Sequence, residues 1–182
     1  MAYFGGKGVG PMSLQRRFGL DHDPSGCYVL IDGWRSIYVG ISRSVLKRIR
    51  DHVRGSTHFA ATLAYRIAAT QHPHVMTASQ AMQDPEFQMR FQESRNYLMG
   101  LATAFVAIAN PLELYLFEPY CAMELRTGFD TGGWNTFLTH QPGGRNSYSL
   151  GKASLVYPGQ ADEDYSAAVG DLVADGFVLV VQ

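Results

Sequence analysis

Two tyrosines, Tyr28 and Tyr38, lie in the segment GCYVLIDGWRSIYVGIS, which covers residues 26–42. A phenol hydroxyl both donates and accepts hydrogen bonds, and with a neighbouring cation it can pass a proton. Because side chains alternate along a strand, the two rings share a face of a sheet if the register pairs the two arms. A tyrosine in a hairpin is also an ordinary cross-strand packing residue, so the pair alone leaves both interpretations open.

Basic residues are concentrated around and after the second tyrosine. The whole chain has a formal net charge of −1, so its total charge does not indicate a nucleic-acid partner. Between residues 34 and 66, however, Asp51 is the only acid among seven basic residues, whereas residues 159–182 contain five acids and no Lys or Arg. This asymmetry in charge is consistent with a basic surface that binds an anion. The alternative interpretation is a solvent-exposed basic helix together with an acidic C-terminal segment. The seven basic residues are Arg35, Arg43, Lys47, Arg48, Arg50, Arg54 and Arg66.

The tyrosine segment has the pattern of a β-hairpin followed by a helix. Runs of β-branched and aromatic residues at 26–32 and 36–41 flank Asp32-Gly33, which is a strong turn signal. The sequence SVLKRIRDHVRG then predicts a helix with Ser42 or Ser44 as its N-cap, ending at a glycine.

This helix carries two side chains that suit an anion site. Arg48 and His52 are four residues apart, so they share one face of the helix, and Arg50 does not lie on that face. A guanidinium binds phosphate oxygens in a planar, often bidentate geometry. Arg50 remains a rival for that role from the sequence alone.

The remaining elements predict one α/β domain in which helices are inserted between the second and third strands. Asp84-Pro85 is a typical helix start, and Pro119 is expected to kink the helix that begins at Asn110-Pro111. Residues 1–25, which include the glycine-rich GGKGVG, are expected to form an irregular arm. The other expected elements are a helix at 58–70, the helix from 85 to about 99, a strand at 102–109, a loop at 128–151, a helix at 163–174 and a strand at 177–181.

Composition points to a cytoplasmic protein. No run of about 18 apolar residues is present, and the first residues lack an apolar segment, so we expect neither a membrane span nor a secretory signal. Cys27 and Cys121 lie in apolar contexts, which favours buried free thiols over a disulfide and fits a reducing compartment.

The hairpin, its following helix and a later Glu and Asn together resemble the GIY-YIG nuclease family. GCY stands where the family has Gly-Ile-Tyr, and YVG stands where it has Tyr-Ile-Gly. VLKRIRDHV resembles the helix whose arginine faces the site, and the Arg48–His52 spacing is similar to that of restriction-type members. The family's helix with the metal-binding glutamate is similar to LELYLFEPYCAMEL, in which the glutamate is Glu118. The family's segment with the asparagine is similar to WNTF, in which the asparagine is Asn135.

The resemblance covers about 26–54 and 102–137, and it implies a fold and an activity. The implied fold is a small three-stranded, mainly antiparallel sheet flanked by helices, with a helical insertion at 55–101 and a C-terminal extension at 138–182, all in a single domain, 1–182. The implied activity is metal-dependent endonuclease cleavage of phosphodiester bonds in DNA, with RNA not excluded.

The resemblance also implies a role for each site residue. Tyr28 is the general base or passes its proton onward, Tyr38 hydrogen-bonds the water or the phosphate, and Arg48 holds the scissile phosphate. His52 assists Tyr28 or contacts the phosphate. Glu118 binds one Mg²⁺ or Mn²⁺, and Asn135 ties the site together through hydrogen bonds. The basic side chains expected to contact nucleic acid are Arg35, Arg43, Lys47, Arg50 and Arg54.

Several alternatives stay open at the level of the sequence. Glu118 is preferred as the metal ligand because it lies mid-helix after an apolar run, with Glu124 and Glu113 as competitors. Two other functional classes compete with the nuclease: a non-catalytic nucleic-acid-binding module on the same fold, and an interaction domain that binds no nucleic acid. Salt-dependent DNA binding separates the last class from the others.

Overall fold

An antiparallel sheet lies at the centre of the computed structural model, which describes residues 1–73, 76–129, 132–135 and 178–180. The central strand β1 pairs antiparallel with β2 on one side and with β3 on the other, so the predicted three-stranded antiparallel sheet is confirmed. A short fourth strand, β4, pairs antiparallel with β3 and corresponds to the strand predicted at 177–181. The strands are β1 (Gly26–Asp32), β2 (Arg35–Ser42), β3 (Ala102–Ala107) and β4 (Val178–Val180).

Six α-helices accompany the sheet in the described ranges, and the predicted helical insertion is formed by α3, α4 and α5. The helices are α1 (Pro11–Phe18), α2 (Val45–Arg54), α3 (Thr62–Gln71), α4 (Ala78–Ala81), α5 (Pro85–Gly100) and α6 (Pro111–Glu124). The helix predicted at 163–174 lies outside the described residues, as does most of the predicted loop at 128–151. Across the described part of the chain, every helix is too short or too polar to cross a membrane.

The prediction of an irregular N-terminal arm is wrong. A 3₁₀ helix at Ala2–Gly5 and helix α1 form there, and the side chains of Phe4 and Leu14 are 0% exposed. Pro11 lies in the first turn of α1, and Gly19 ends the helix in the left-handed conformation with φ 65°. Two buried apolar side chains attach a segment whose composition resembles that of a loop.

Two hydrophobic clusters lie on opposite faces of the sheet because successive side chains of β1 alternate in direction. Tyr28 and Leu30 pack in the cluster that contains the buried side chains of α2, α3 and α5. Cys27 and Val29 pack in the other cluster, which contains buried side chains of α6. Tyr38 packs against the first cluster, so both hairpin tyrosines lie on the face that α2 covers.

Candidate active site

The glycines beside the two tyrosines allow close approaches that a larger residue would prevent. Gly40 is the cross-strand partner of Tyr28. A Cβ atom at Gly40 would lie 2.5 Å from the Tyr28 hydroxyl oxygen and 2.9 Å from Cε1 of Tyr38. A Cβ atom at Gly26 would lie 2.0 Å from the carbonyl oxygen of Val106. The glycine of Tyr-Val-Gly therefore makes room for the tyrosine of Gly-Cys-Tyr, and Gly26 lets β3 approach β1.

Three aromatic rings meet over this part of the hairpin. The ring centroids are 6.1 Å apart for Tyr28 and Tyr38, 5.7 Å for Tyr28 and His52, and 5.8 Å for Tyr38 and His52. The Tyr28 hydroxyl oxygen and Nε2 of His52 are 2.7 Å apart and share a hydrogen bond. Tyr28 is 1% exposed and His52 is 0% exposed, whereas Tyr38 is only partly buried. Tyr38 is therefore the member of this cluster that solvent reaches.

Burial determines the protonation state of His52. Desolvation lowers its pKa from 6.5 to about 3, and the positive charge of Arg48 acts in the same direction. The imidazole is therefore neutral near pH 7. Its Nδ1 atom is buried and has no hydrogen-bond partner among the described residues. Leaving such an atom unpaired costs about 1–3 kcal/mol, so packing alone does not explain a histidine at this position.

The pKa values of both tyrosines respond to the same neighbours. Burial raises the pKa of Tyr28 well above its ordinary value, and Arg48 opposes this shift through its charge and a hydrogen bond. Burial is also the main cause that raises the pKa of Tyr38. The positive charges of Arg48 and Arg66 lower this pKa, and the negative charge of Glu118 raises it. All three charged side chains thus lie within electrostatic reach of Tyr38.

Helix α2, which carries Arg48 and His52, is held at both ends by other segments. At its start, the two carboxylate oxygens of Asp23 accept hydrogen bonds from two first-turn backbone amides, at 2.8 and 3.0 Å. Ser44 is the N-cap residue, but its side chain makes no capping bond. At the end of the helix, Nε and Nη2 of Arg95 donate to the carbonyl oxygen of Val53 at 3.2 and 3.1 Å.

Arg48 and Arg50 point to different neighbours, as the helix-face argument predicts. Nη1 of Arg48 donates to the carbonyl oxygen of Ala60 at 2.9 Å, and its Nη2 lies 3.4 Å from Oγ1 of Thr62 at the start of α3. Nε of Arg50 donates instead to the carbonyl oxygen of Val9, at 3.0 Å. Of these two arginines, only Arg48 acts on the pKa values of the aromatic cluster.

Asn135 binds the backbone of the strand that carries Tyr38. Its Nδ2 donates to the carbonyl oxygen of Val39 and its Oδ1 accepts from the amide of Val39, each at 2.8 Å. This paired geometry imitates the next strand of a sheet at the edge of β2. Asn135 is 7% exposed, and the residue whose backbone it binds precedes Gly40 and follows Tyr38 on β2.

The three candidate glutamates of α6 differ in their surroundings. Glu118 is partly buried, and desolvation raises its pKa. Glu113 is exposed in the first turn and accepts a hydrogen bond from Nδ2 of Asn110 at 3.1 Å. Glu124 is exposed at the last residue of the helix, which continues through Pro119. Of the three, Glu118 is the one whose charge acts on Tyr38.

Among the described residues, Glu118 belongs to no larger set of metal-binding side chains. Within the described ranges, no three His, Cys, Asp or Glu side chains lie close enough together to hold a metal ion. Mg²⁺ is often bound through one or two carboxylates while water and substrate phosphates complete its shell. A single carboxylate whose charge is disfavoured by burial fits this mode, because a cation would stabilise the charged form.

Arg66 is a site residue that sequence reasoning counted only as part of the basic segment. It lies on α3, and its Nη2 donates to the carbonyl oxygen of Trp134 at 2.6 Å. The amide of Trp134 in turn donates to the carbonyl oxygen of Ile37 at 2.8 Å. Nothing in the sequence connects residues 66 and 134, because the contact depends on how the insertion packs.

The five side chains predicted to contact nucleic acid fall into two groups. Three of them are exposed, namely Arg43, Lys47 and Arg54. Lys47 also makes an ion pair of 2.6 Å with Asp51 on the helix surface. Arg35 and Arg50 are partly buried, and Arg50 holds the N-terminal segment as described above.

Comparisons of the chain with protein-family models, with curated proteins and with solved structures find no match. The interpretation of the cluster therefore rests on its own residues and geometry, together with the motif resemblance in the sequence.

Proposed function

We propose that this protein is a metal-dependent endonuclease that hydrolyses phosphodiester bonds in DNA. The observation that carries the proposal is the convergence on Tyr38 of side chains from distant parts of the chain. The rings of Tyr28 and His52 lie beside it, and the charges of Arg48 and Glu118 act on it. Asn135 binds the neighbouring peptide unit of the same strand. This combination of phenols, a cation and a carboxylate suits phosphodiester hydrolysis.

Tyr38, rather than Tyr28, acts on the attacking water in this mechanism. Hydrolysis requires that a water oxygen attack phosphorus while the bond to the leaving oxygen breaks. Tyr38 is the phenol that solvent reaches, so it orients the water and, in its phenolate form, takes the proton as the new bond forms. Arg48 favours that form and balances the negative charge that develops on the phosphate.

Tyr28 and His52 act as positioning residues in this proposal. A pKa of about 3 makes the His52 imidazolium roughly 5 kcal/mol harder to form than in an exposed histidine. Proton storage on His52 is therefore costly, and the hydrogen-bonded pair instead fixes the orientation of Tyr38. A divalent cation bound by Glu118 would act as a Lewis acid and neutralise charge on the phosphate and the leaving oxygen.

The test is cleavage of supercoiled plasmid in Mg²⁺, in Mn²⁺ and in EDTA, with wild type, Glu118→Ala and Glu124→Ala. We expect metal-dependent cleavage that Glu118→Ala abolishes and Glu124→Ala retains, since Glu124 is an exposed carboxylate on the same helix. Loss of cleavage only in Glu124→Ala would move the metal site to the end of α6. Intact plasmids of several unrelated sequences, with either metal and wild-type protein, would contradict the proposal.

The second candidate is a nucleic-acid-binding module that does not cleave. The observation that favours it is the raised pKa of Tyr38, because burial disfavours the phenolate form that would take a proton from water. Such a module would bind DNA with a strong salt dependence in EDTA and leave plasmids intact in Mg²⁺. It would also bind equally well after Glu118→Ala, since backbone binding needs no metal carboxylate.

A further inference from the structure

We infer that Arg66 marks a second phosphate subsite, one helical turn from the contact of Arg48, that holds a neighbouring phosphate of the same strand. The inference rests on the proposed function, since it extends that site along a nucleic-acid backbone. Arg66 belongs to the insertion, which the motif resemblance does not cover. Its contacts show how this insertion takes part in the site.

Arg48 and Arg66 are connected by the geometry of α3. The guanidinium of Arg48 reaches the start of α3, where it contacts the carbonyl oxygen of Ala60 and Oγ1 of Thr62. Thr62 and Arg66 are four residues apart on this helix, so they share one face. Arg66 therefore begins one turn along the face of α3 whose N-terminal end Arg48 contacts.

Arg66 is also fixed to the strand that carries Tyr38. It donates to the carbonyl oxygen of Trp134, and the Trp134 amide donates to the carbonyl oxygen of Ile37, the residue that precedes Tyr38. This backbone connection links Arg66 to the strand that carries Tyr38, and the positive charge of Arg66 lowers the pKa of that phenol. The positive charges of Arg48 and Arg66 thus both act on Tyr38, although the two residues belong to different helices.

The spacing of these two cations fits a nucleic-acid strand. One helical turn rises about 5.4 Å, and successive nucleotides of a strand rise about 3.4 Å along the duplex axis. Because the backbone also winds around that axis, adjacent phosphates lie farther apart than this rise, so arginines that start about one turn apart suit adjacent phosphates. A single isolated phosphate ester would need only the first of them, so the pair selects a polymeric substrate.

A purely structural role for Arg66 predicts different behaviour. If Arg66 only held the backbone of Trp134, its removal would lower stability without changing the number of counterions that DNA displaces. If it contacts a phosphate, its removal lowers the slope of log K against log salt by about 0.9, the contribution of one neutralised phosphate on duplex DNA.

The experiment is a salt titration of binding in EDTA to a random-sequence DNA duplex, with wild type, Arg66→Gln, Arg66→Lys and Arg16→Gln. Arg16 is an exposed arginine on α1, so its variant controls for the loss of one charge. We expect Arg66→Gln to lower the slope by about 0.9, and Arg66→Lys and Arg16→Gln to keep the wild-type slope. A slope for Arg66→Gln equal to that of wild type would overturn the inference.

A second measurement uses the wild-type protein and stays decisive if Arg66→Gln does not fold. The Nε–Hε signal of Arg66 is assigned in a ¹⁵N NMR spectrum as the arginine signal that Arg66→Lys removes. A thymidine dinucleotide with a 5′-phosphate, which carries two phosphates, should shift this signal, and the dinucleotide without it should shift that of Arg48 only. Equal shifts of the Arg66 signal with both dinucleotides, or none with either, would overturn the inference.

These outcomes are separable from failure of the proposed function. A lower slope for Arg66→Gln in a protein that never cleaves DNA would support the phosphate subsite and contradict the proposed hydrolysis. Cleavage by wild type together with an unchanged slope for Arg66→Gln would support the nuclease and contradict the subsite. Absence of any DNA binding would contradict both proposals.

Discussion

Tyr28 and Tyr38 have the same side chain, but their surroundings give them different properties. Tyr28 is enclosed by His52 and by the backbone of Gly40, whereas Tyr38 remains partly accessible beside the charges of Arg48 and Glu118. The sequence identified both tyrosines and the helix face of Arg48. The family resemblance gave the role of base to Tyr28, whereas Tyr28 is buried and Tyr38 is partly accessible, because exposure depends on packing that no local pattern encodes.

At the same scale, His52 predicts a dependence of stability on pH. Its pKa is lower in the folded state than in the unfolded chain, so the unfolded chain binds more protons between about pH 3 and pH 6.5. The stability that depends on neutral His52 is therefore fully present above about pH 6.5 and falls as the pH decreases. From pH 7 to pH 5, we expect His52 to contribute a loss of about 2 kcal/mol in the free energy of unfolding.

Urea unfolding of wild type and His52→Gln at both pH values measures this contribution. Gln keeps a hydrogen-bonding group near Tyr28 but does not titrate, so the variant should lose about 2 kcal/mol less between pH 7 and pH 5. The same loss in both proteins would show that His52 does not titrate with a lowered pKa.

At the scale of elements, the hairpin, α2 and α6 form where the sequence predicts a hairpin and two helices. Helix α1 instead forms where the sequence predicts an irregular arm. Turn residues, helix faces and caps are local signals, and they located β1, β2 and the start of α5 at Asp84. The anchoring of α2 by Asp23 and Arg95 was not predictable, because these contacts join segments far apart in sequence. The burial of Phe4 and Leu14 was missed for the same reason.

The fit of Tyr28 against Gly40 provides a test of the hairpin. Gly40→Ala would place a methyl group 2.5 Å from the Tyr28 hydroxyl oxygen, so the ring must move. We expect a loss of about 1–3 kcal/mol in unfolding free energy, as for other overpacked sites, together with loss of cleavage. Gly100→Ala is the matched control, because a Cβ there meets nothing within 4 Å. Equal stabilities of the two variants would contradict the described contact.

At the scale of the whole molecule, buried side chains of α2 and of α6 pack on opposite faces of the sheet, while the charge of Glu118 on α6 still acts on Tyr38. The three antiparallel strands β1 to β3 followed from sequence patterns and family resemblance, whereas the spatial order β2-β1-β3-β4 and the addition of β4 to the sheet were not predicted. The position of the insertion was not predicted either, and Arg66 shows that this insertion reaches the site through Trp134. Long-range packing of this kind is set by the complementarity of whole surfaces, which a single sequence does not display.

The packing of α6 against β1 also predicts the state of the cysteines. Cys27 on β1 and Cys121 on α6 are both buried free thiols. We expect a thiol reagent such as DTNB to react slowly with the native protein and to label both cysteines in guanidinium chloride without reductant. Failure of either cysteine to react after unfolding would indicate a disulfide between them.

The most direct test of the account is plasmid cleavage in Mg²⁺ by wild type, Tyr38→Phe and Tyr115→Phe. Tyr115 is 61% exposed on α6, so its variant controls for the loss of a tyrosine hydroxyl outside the cluster. The account predicts that Tyr38→Phe lowers the cleavage rate by about 10²-fold or more while Tyr115→Phe keeps the wild-type rate. Cleavage by Tyr38→Phe at the wild-type rate would contradict the claim that Tyr38 is the centre of a catalytic site.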